Sequence, residues 1–461
     1  MIKFGTDGWR GVISKEFTFE NLKKVAMAHG EVLRKGGAEK VVVGYDLRFL
    51  SEEYGKFVAE TIAGMGIDVD LSENFSPTPA VSYNTKYGNY DNGIVITASH
   101  NYGKYNGYKV KESFGGAART EFTRKIEEEI PRVEGKERPV GKFKEKDLVS
   151  PYIQGVREQL ELSLFREKSV KIVHDPMYGA QQGLLVRALL GTKSEISEIH
   201  SYRDPLFGGK HPEPVVEENI TALKEKVRAL KADIGIAHDG DGDRVGIVDE
   251  RGEFINSQIV FALLLLHIVR NKGMRDGIVA KTVSSGYLIN RICRKLGLEL
   301  VEVPVGFKNI SELVVKEKVL FGGEESGGYA LIDYLPERDG LLMGLFIVEK
   351  MLAEEKSVSQ MVEELFKEFG TAYYKRMDLP VTEEEKRKLE KIKENPPKDW
   401  EGLKVKEILT IDGVKIIFEN DSWILFRPSG TEPVFRVYAE TPDPKTTQML
   451  LNWGVKLIKE N

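Results

Sequence analysis

The sequence predicts an α/β protein of three βα-rich, mixed-sheet domains followed by a smaller α+β domain. Helical and strand periodicities alternate through most of the chain, which is the order expected of helix-covered sheets. The last part changes character and shows closely spaced apolar strands around a polar turn, which indicates a hairpin. A length of 461 residues is too great for one core and favours two to four domains.

The first predicted domain, residues 1–146, begins the alternation. Apolar residues at helical spacing predict a first helix that includes Leu22, Val25, Ala26, Val32 and Leu33. The segments that follow are a buried strand at Lys40–Tyr45, a helix from about Ser51 to Met65, and a strand that ends at Ser99. Because parallel strands need crossover connections, this order predicts a mostly parallel sheet.

The other three predicted domains cover residues 147–250, 251–368 and 369–461. The second has strands at Val170–Val173 and from Ile234. The third has, in order, a helix at Ile259–Arg270, a strand at Ile278–Ala280, a helix at Tyr287–Leu296 and a strand at Val319–Phe321. The fourth has a hairpin of Val414–Phe418 with Trp423–Phe426, then a strand at Phe435–Ala439. Two charged stretches, Pro131–Lys146 and Glu383–Asp399, predict linkers.

The composition excludes several classes of protein. The 67 Lys and Arg residues against 72 Asp and Glu give a net charge of -5, so binding to nucleic acid or to an anionic membrane is not expected. The longest apolar run, Ile259–Val269, is far shorter than the roughly 20 residues that span a bilayer. The N-terminus lacks a signal-peptide core, and the single Cys293 excludes an intramolecular disulfide. We therefore expect a cytoplasmic protein, with assembly into a homo-oligomer left open.

A cluster of reactive side chains follows the apolar strand at Ile94–Ile96. Ser99, His100 and Asn101 lie next to one another there, and Lys109 follows ten residues after Ser99. Open α/β sheets bind ligands at such strand ends. Serine is a poor nucleophile without a base, a metal or prior phosphorylation. The alternatives are that Ser99 is a helix N-cap and that His100 bonds only to loop backbone.

A second cluster places Asp239, Asp241 and Asp243 at alternate positions, followed by Arg244. Carboxylate oxygens are the ligands that Mg²⁺ and Ca²⁺ prefer, and three adjacent carboxylates repel one another unless a cation is bound. An EF-hand is disfavoured because Arg244 stands where that loop requires glycine and because strands flank it. The other alternative is a solvated acidic turn.

Two later loops are rich in glycine. Gly322–Gly328 follows an apolar strand, and its Glu324 and Ser326 are suited to bonding vicinal sugar hydroxyls. The loop Arg427–Pro433 combines a guanidinium, two hydroxyls and backbone N–H groups that its glycine leaves accessible. These groups are suited to binding a phosphate group. A plain flexible loop and a tight turn with a surface arginine are the respective alternatives.

Taken together, these loops resemble the four signature loops of the α-D-phosphohexomutases, the family of phosphoglucomutase, phosphomannomutase and phosphoglucosamine mutase. The four matching segments, in the family's order, are Thr97–Asn101, Asp239–Arg244, Gly323–Gly327 and Arg427–Thr431. The opening Phe4–Gly11 is also similar to the family's N-terminus. The resemblance implies four domains around a central cleft, each contributing one loop.

The resemblance also implies roles for individual residues. Ser99 would carry the phosphoryl group, and Mg²⁺ would be held by an oxygen of that phosphoserine with Asp239, Asp241 and Asp243. The implied catalytic group also contains Arg10, His100, Arg244 and Lys109, the last as a general acid or base. The implied substrate-binding group contains Glu324, Ser326 and Lys308 for the sugar end, and Arg427, Ser429, Gly430 and Thr431 for the phosphate that is not transferred.

The chain departs from the family pattern at a few positions. Tyr102 replaces a proline, and Gly328 and Phe307 stand where some relatives have histidines. Glu325 resembles the glucose-type sugar loop. The expected activity is therefore interconversion of hexose 1- and 6-phosphates, for glucose and also mannose, with hexose 1,6-bisphosphate as activator. The competing functions are a phosphoglucosamine mutase, a Mg²⁺-dependent sugar phosphatase, and a non-catalytic, metal-dependent sugar-phosphate-binding protein.

Overall fold

The computed structural model describes residues 2–380, 382–428 and 434–459, with the backbone alone at 383–387. It confirms the predicted fold class. Four sheets follow one another along the chain, each with its own helices. The first three mix parallel and antiparallel pairs, and the fourth is antiparallel throughout.

The first sheet has the strand order β1-β5-β4-β2-β3-β6. Its strands are β1 (Trp9–Val12), β2 (Lys40–Tyr45), β3 (Asp68–Ser72), β4 (Asn92–Ile96), β5 (Tyr105–Glu112) and β6 (Lys144–Lys146). Its helices are α1 (Phe19–Lys35), α2 (Ser51–Gly64), α3 (Thr78–Tyr87) and α4 (Thr120–Val133). The parallel part was predicted, whereas β5 turns back antiparallel to β4.

The second sheet has the order β11-β10-β9-β7-β8. Its strands are β7 (Lys171–Asp175), β8 (Glu195–Glu198), β9 (Ile234–His238), β10 (Val245–Val248) and β11 (Phe254–Ile255). Its helices are α5 (Val149–Gln159), α6 (Leu162–Glu167), α7 (Leu184–Ala188) and α8 (Thr221–Leu230). An antiparallel hairpin, β9 and β10, ends the parallel part of this sheet.

The third sheet has the order β13-β12-β14-β15. Its strands are β12 (Ile278–Thr282), β13 (Leu300–Val303), β14 (Val319–Gly323) and β15 (Tyr329–Leu331). Its helices are α9 (Ser257–Leu266), α10 (Leu288–Leu296), α11 (Phe307–Leu313), α12 (Gly340–Glu354) and α13 (Val358–Phe369), and a π-helical turn, His267–Asn271, extends α9. The apolar helices α9 and α12 are buried in a core that the second and third sheets share.

The fourth sheet has the order β16-β21-β20-β19-β18-β17. Its strands are β16 (Tyr373–Pro380), β17 (Asp399–Trp400), β18 (Leu403–Leu409), β19 (Val414–Phe418), β20 (Trp423–Pro428) and β21 (Val434–Thr441). Its helices are α14 (Glu383–Glu394) and α15 (Pro444–Lys459). The predicted hairpin of the last domain is therefore β19 with β20.

The first predicted linker is confirmed in part, because residues 134–143 form no helix or strand, although both ends of the stretch are structured. The second, Glu383–Asp399, contains helix α14, so that prediction was wrong. Pro131 lies in the last turns of α4, and Lys144–Lys146 pairs with β3 as the edge strand β6. Charged residues are common on edge strands because they discourage pairing with further strands. A charged edge strand therefore has the same kind of composition as a solvent-exposed linker. In the second stretch, Leu389 and Ile392 are three residues apart on α14 and bury themselves against the fourth sheet.

Across the described residues, we find no helix that is both long enough and apolar enough to cross a membrane.

Candidate active site

The predicted loops all connect neighbouring antiparallel strands. The Ser99 loop joins β4 to β5, the Asp239 loop joins β9 to β10, and the Glu324 loop joins β14 to β15. Arg427 lies near the end of β20, and β21 returns antiparallel to it. Such hairpin loops carry side chains beyond the sheet edge while both flanking strands remain fixed.

Ser99 and the acidic loop meet in space. Ser99 is fully buried, and its Oγ lies 3.0 Å from Oδ2 of Asp239 and 3.3 Å from Nδ1 of His100. Its backbone has a φ of +54°, in the left-handed region that non-glycine residues seldom adopt. Ser99 is therefore held beside the Asp239–Asp243 loop in a backbone conformation that its surroundings must stabilise.

The acidic triad fits a divalent cation. Asp239, Asp241 and Asp243 are fully buried, and one oxygen from each lies within 4.8 Å of the others. Oδ1 of Asp241 and Oδ1 of Asp243 have no hydrogen-bond partner among the described residues. Buried carboxylate oxygens without partners are costly unless a ligand satisfies them, and hard divalent cations prefer oxygen donors.

The carboxylates of the triad are in unequal electrostatic environments. Burial, followed by repulsion from Asp243 and Asp241, raises the pKa of Asp239 well above its ordinary value. Burial alone would also raise the pKa of Asp241, but the attraction of Lys109 outweighs it and the net pKa is lowered. A bound cation would relieve the repulsion at Asp239 most.

Lys109 contacts three carboxylates of the site. Its Nζ lies 2.6 Å from Oδ2 of Asp7, 2.8 Å from Oδ2 of Asp241 and 3.0 Å from Oδ2 of Asp243. Burial favours the neutral amine, but the three carboxylates outweigh it and raise the pKa of Lys109 above its ordinary value. Lys109 is therefore an ammonium group that holds its proton tightly in this arrangement and supplies positive charge among the three carboxylates.

Cations and a neutral imidazole surround the Ser99 loop. Nη1 of Arg10 donates to Oδ1 of Asn101 at 2.6 Å, and Nε of Arg244 lies 3.9 Å from both Asp239 and Asp243. Burial, then the neighbouring Arg244 and Arg10, lowers the pKa of His100 well below its ordinary value. His100 is therefore neutral and can accept a proton.

The sugar-type loop supplies two buried polar groups. Glu324 accepts a hydrogen bond at 3.0 Å from the backbone amide of Gly306, and burial raises its pKa to about 7. Oγ of Ser326 is buried and has no partner among the described residues. Glu325 accepts from Oγ of Ser284 at 3.1 Å and so bonds within its own domain. Glu324 and Ser326 are the members of this loop with capacity for a ligand.

Two predicted substrate-binding residues make other contacts. Lys308, on α11, donates to Oγ1 of Thr120 at 3.1 Å and so links the third domain to the first. Nε of Arg427 donates to Oδ2 of Asp412 at 2.7 Å, and that same oxygen accepts the amide of Val305 at 3.0 Å. Neither contact joins the Ser99 cluster. Three further predicted residues, Ser429, Gly430 and Thr431, lie outside the described residues.

Arg338 is not among the predicted site residues, yet it joins three parts of the site. Its Nη2 lies 2.6 Å from Oδ2 of Asp7 and 2.8 Å from Oδ2 of Asp243. A Cβ at Gly328 would lie 2.3 Å from its Cδ, and its guanidinium lies 5.4 Å from the ring centre of Phe307. Arg338 therefore fills the space beside Gly328 and Phe307. The available signal was the charged run Glu337–Asp339 before an apolar helix.

The chain matches models of a known family along nearly its whole length. Residues 1–137, 150–252 and 256–369 match alpha/beta/alpha domains I, II and III of phosphoglucomutase/phosphomannomutase, and residues 378–451 match its C-terminal domain.

Full-length relatives agree with the domain models. A protein of Thermococcus kodakarensis named phosphoglucomutase/phosphomannomutase is 32% identical over 99% of this chain and 98% of its own. A phosphoglucosamine/phosphogalactosamine mutase of Sulfurisphaera tokodaii is 33% identical over 99% of each chain. A crystal structure from Thermus thermophilus, described as a phosphomannomutase, superposes with a TM-score of 0.89 at 34% identity and covers 99% of both chains. With four domain models matched in order, and these relatives aligned from end to end, the chain belongs to the phosphoglucomutase/phosphomannomutase family.

Proposed function

We propose that this protein is a phosphohexomutase that interconverts hexose 1-phosphates and hexose 6-phosphates, with Ser99 as phosphoryl carrier. The observation that carries the proposal is the contact of Ser99 Oγ with Asp239 in a buried acidic triad, 3.0 Å away. The matched domains place this enzyme class among the intramolecular phosphotransferases. Hexose 1,6-bisphosphate is the intermediate and the activator that phosphorylates a fresh serine.

The domain division is part of the proposal, at 1–146, 147–250, 251–368 and 369–461. Strand β6 ends at Lys146 and helix α13 ends at Phe369, which supports the first and last boundaries. At the second boundary, β11 at Phe254–Ile255 still pairs with β10, so the passage between the two domains extends a few residues further.

The metal would be Mg²⁺, and the residues that would hold it are Asp239, Asp241, Asp243 and the phosphorylated Ser99. It supplies positive charge against a phosphoserine that carries about -1.5 to -2 charges at neutral pH. The oxygens free to hold it are Oδ1 of Asp241 and Oδ1 of Asp243. Lys109 and Arg338 hold the opposite oxygens of these carboxylates and so orient them.

The transfer step exchanges one P–O bond for another. A sugar hydroxyl attacks phosphoserine 99, the new bond from sugar oxygen to phosphorus forms, and the bond from Ser99 Oγ to phosphorus breaks. Neutral His100, whose Nδ1 lies 3.3 Å from Ser99 Oγ, accepts the hydroxyl proton and passes it to the departing Ser99 oxygen. Lys109 remains an ammonium group whose charge offsets that of the neighbouring carboxylates. Arg10 and Arg244 stabilise charge on the equatorial oxygens.

The bisphosphate formed in this step then turns over, so that its other phosphate faces Ser99. The reverse transfer regenerates phosphoserine 99 and releases the isomeric monophosphate. A site used in both orientations favours contacts to hydroxyls present in either one, which suits Glu324 and Ser326. Arg427, Ser429, Gly430 and Thr431 hold the phosphate that is not transferred, and Lys308 completes the sugar end of the cleft.

We expect the enzyme to accept both glucose and mannose phosphates, with an activity on glucose phosphates that is at least comparable to that on mannose phosphates. The two sugars differ only at carbon 2, and inversion of a weakly bonded hydroxyl costs about tenfold in specificity. Specificity constants for glucose 1-phosphate and mannose 1-phosphate, measured in a coupled assay with and without the bisphosphate, test this. A preference above about a thousandfold would require a dedicated bond to the 2-hydroxyl and would refute the expectation.

The second candidate substrate is glucosamine phosphate, because the Sulfurisphaera tokodaii relative is named for amino sugars. The same coupled assay with glucosamine 1-phosphate decides between them. A specificity constant for glucosamine that exceeds those for both neutral hexoses would make this candidate the correct one.

Sugar binding should strengthen as the pH rises through about 7. Burial raises the pKa of Glu324 to about 7, so the carboxyl is largely protonated at pH 6 and ionised at pH 8. The ionised group accepts hydrogen bonds from two hydroxyls and binds them more strongly. The KM for glucose 1-phosphate is therefore expected to fall by about threefold to tenfold between pH 6 and pH 8.

The control variant for this pH dependence is Glu324→Gln, which cannot ionise. Titration of the substrate phosphate affects both enzymes equally, so the difference between their KM profiles isolates Glu324. Between pH 6 and pH 8, the KM of the variant should therefore fall by about threefold to tenfold less than the KM of the wild type. Identical slopes in the two enzymes would contradict the prediction. The same raised pKa means that the folded protein binds this proton more tightly than the unfolded chain, so this contribution to stability is lost as the pH rises through 7.

A further inference from the structure

We propose that Asp46, Arg48 and Thr97 form a brace that positions Ser99 for phosphoryl transfer. The proposal rests on the assignment of Ser99 as the phosphoryl carrier. The three residues hold the backbone of Ser99 on both sides, and we assign them to positioning rather than to contact with the phosphoryl group. Asp46 and Arg48 follow β2, whereas Thr97 follows β4, the neighbouring strand of the first sheet.

The brace stabilises an unfavourable backbone conformation at Ser99 and so positions its side chain. Ser99 has a left-handed backbone at φ +54°, and such a conformation persists in a non-glycine residue only when surrounding bonds fix it. The residue is also fully buried, so both its amide and its carbonyl need partners. Those partners decide where its Oγ points.

Arg48 holds the carbonyl side of the loop. Its Nη2 donates to the carbonyl oxygens of Ser99 at 2.5 Å and Asn101 at 2.7 Å. Its Nη1 donates to the carbonyl oxygens of Tyr102 at 3.0 Å and Tyr105 at 3.1 Å. One fully buried guanidinium therefore binds four carbonyls within seven residues of chain. A planar fork of donors is suited to this and an ammonium group is not.

Thr97 and Asp46 hold the amide side. Oγ1 of Thr97 accepts the Ser99 amide at 2.9 Å and donates its own proton to Oδ2 of Asp46 at 2.7 Å. Oδ2 of Asp46 also lies 3.1 Å from Nε of Arg48. These contacts close a ring from Asp46 through Thr97, Ser99 and Arg48 back to Asp46. The amide and the carbonyl of the serine are thus fixed by the same ion pair.

The brace also contacts the second domain, which carries the acidic triad. The guanidinium of Arg48 lies 4.6 Å from the ring centre of Phe207. A Cβ at Gly240 would lie 2.5 Å from the Ser99 carbonyl oxygen and 3.4 Å from Nη2 of Arg48. The braced loop therefore packs directly against the Asp239 loop, so displacement of the brace changes the distance from Ser99 Oγ to Asp239.

The test measures how fast Ser99 is phosphorylated in Thr97→Val and Thr97→Ser. Valine keeps the shape and removes the hydroxyl, whereas serine keeps the hydroxyl. Each folded variant is mixed with saturating glucose 1,6-bisphosphate and Mg²⁺, quenched in a rapid-mixing device, and analysed by intact-protein mass spectrometry. Misplacement of a reacting atom by about 1 Å costs on the order of 100-fold in rate, so we expect Thr97→Val to be slower by about 10- to 100-fold. Thr97→Ser should remain within about threefold.

A purely structural role predicts a different pattern. It would lower the fraction of protein that can be phosphorylated at long times, or raise KM and lower kcat together. The brace predicts a full end-point, a KM for glucose 1-phosphate within about threefold of wild type, and a loss confined to the rate. The matched control is Thr61→Val, which removes an equally buried hydroxyl that donates only to the Phe57 carbonyl of its own helix, at 2.7 Å. Its rate should equal that of wild type.

A normal rate in Thr97→Val, or an equal loss in Thr61→Val, would overturn the proposal. If Thr97→Val does not fold, Arg48→Lys is tested in the same way, because lysine keeps the charge beside Asp46 but lacks the fork. A normal rate there would also overturn it. Labelling of Ser99→Ala would instead refute the carrier assignment itself, so failure of the brace and failure of the proposed function give different results.

Discussion

Replacing Ser99 by alanine is expected to abolish mutase turnover, with a loss of at least about a thousandfold in kcat. The Oγ of Ser99 lies 3.0 Å from Asp239 of the acidic triad, and alanine leaves the left-handed loop and its Arg48 contact in place because that contact uses the backbone. Incubation with glucose 1,6-bisphosphate should add one phosphoryl group to the wild-type protein and none to the variant, as measured by intact-protein mass spectrometry.

The control for this variant is Ser82→Ala. Ser82 is equally buried on α3 of the same domain, and its Oγ has no hydrogen-bond partner among the described residues. Both variants should fold, and only Ser99→Ala should lose labelling and turnover. Labelling of Ser99→Ala at the wild-type level would show that another residue carries the phosphoryl group.

Asp241→Asn is expected to lower kcat by about 100- to 1000-fold with the fold retained. The amide keeps the size of the side chain but removes a negative charge from the cation site, and one oxygen of Asp241 is free to bind a cation. The variant also weakens the contact to Lys109 at 2.8 Å, so the pKa of Lys109 falls as well. Activity should be measured over a Mg²⁺ titration, together with the melting temperature with and without Mg²⁺.

A matched control is Asp249→Asn in the same domain. Asp249 is fully buried, but its oxygens are occupied by Arg251 and by the backbone amides of Arg251 and Glu253 at the far end of β10. This variant should lose stability and keep its Mg²⁺-dependent turnover. Mg²⁺ should raise the melting temperature of the wild type and of Asp249→Asn but not of Asp241→Asn. Full activity of the wild type after exhaustive chelation would contradict the metal assignment.

Local sequence patterns were sufficient to predict the acidic loop and the serine loop of the site. The loop Asp239–Asp243 follows an apolar strand and has three carboxylates at alternate positions, so its chemistry is visible without knowledge of the fold. The same holds for Ser99 after β4. Their contact at 3.0 Å joins residues 140 positions apart, and only the resemblance to a known family indicated it.

The site residues that were not predicted make their contacts with residues that are distant in the sequence. Arg338 lies before an apolar helix, where an arginine is usually a surface residue, yet it bonds to Asp7, which is 331 positions away near the N-terminus. Arg48 resembles a loop arginine in sequence, and its four carbonyl partners become apparent only when β2 and β4 pair. The linker prediction at Glu383–Asp399 failed, and the one at Pro131–Lys146 was right only for its middle part. Charge alone does not distinguish a solvated segment from an edge strand or a half-buried helix.

A single-turnover transfer from labelled enzyme tests the central claim most directly. Phosphoenzyme carrying ³²P on Ser99 is mixed with an equimolar amount of glucose 6-phosphate and Mg²⁺, and the reaction is quenched within the first turnover. The account predicts that the label leaves the protein and appears first in glucose 1,6-bisphosphate, with no burst of inorganic phosphate. Label that appears as inorganic phosphate would identify a phosphatase, and label that stays on the protein would identify a binding protein; either result would contradict the account.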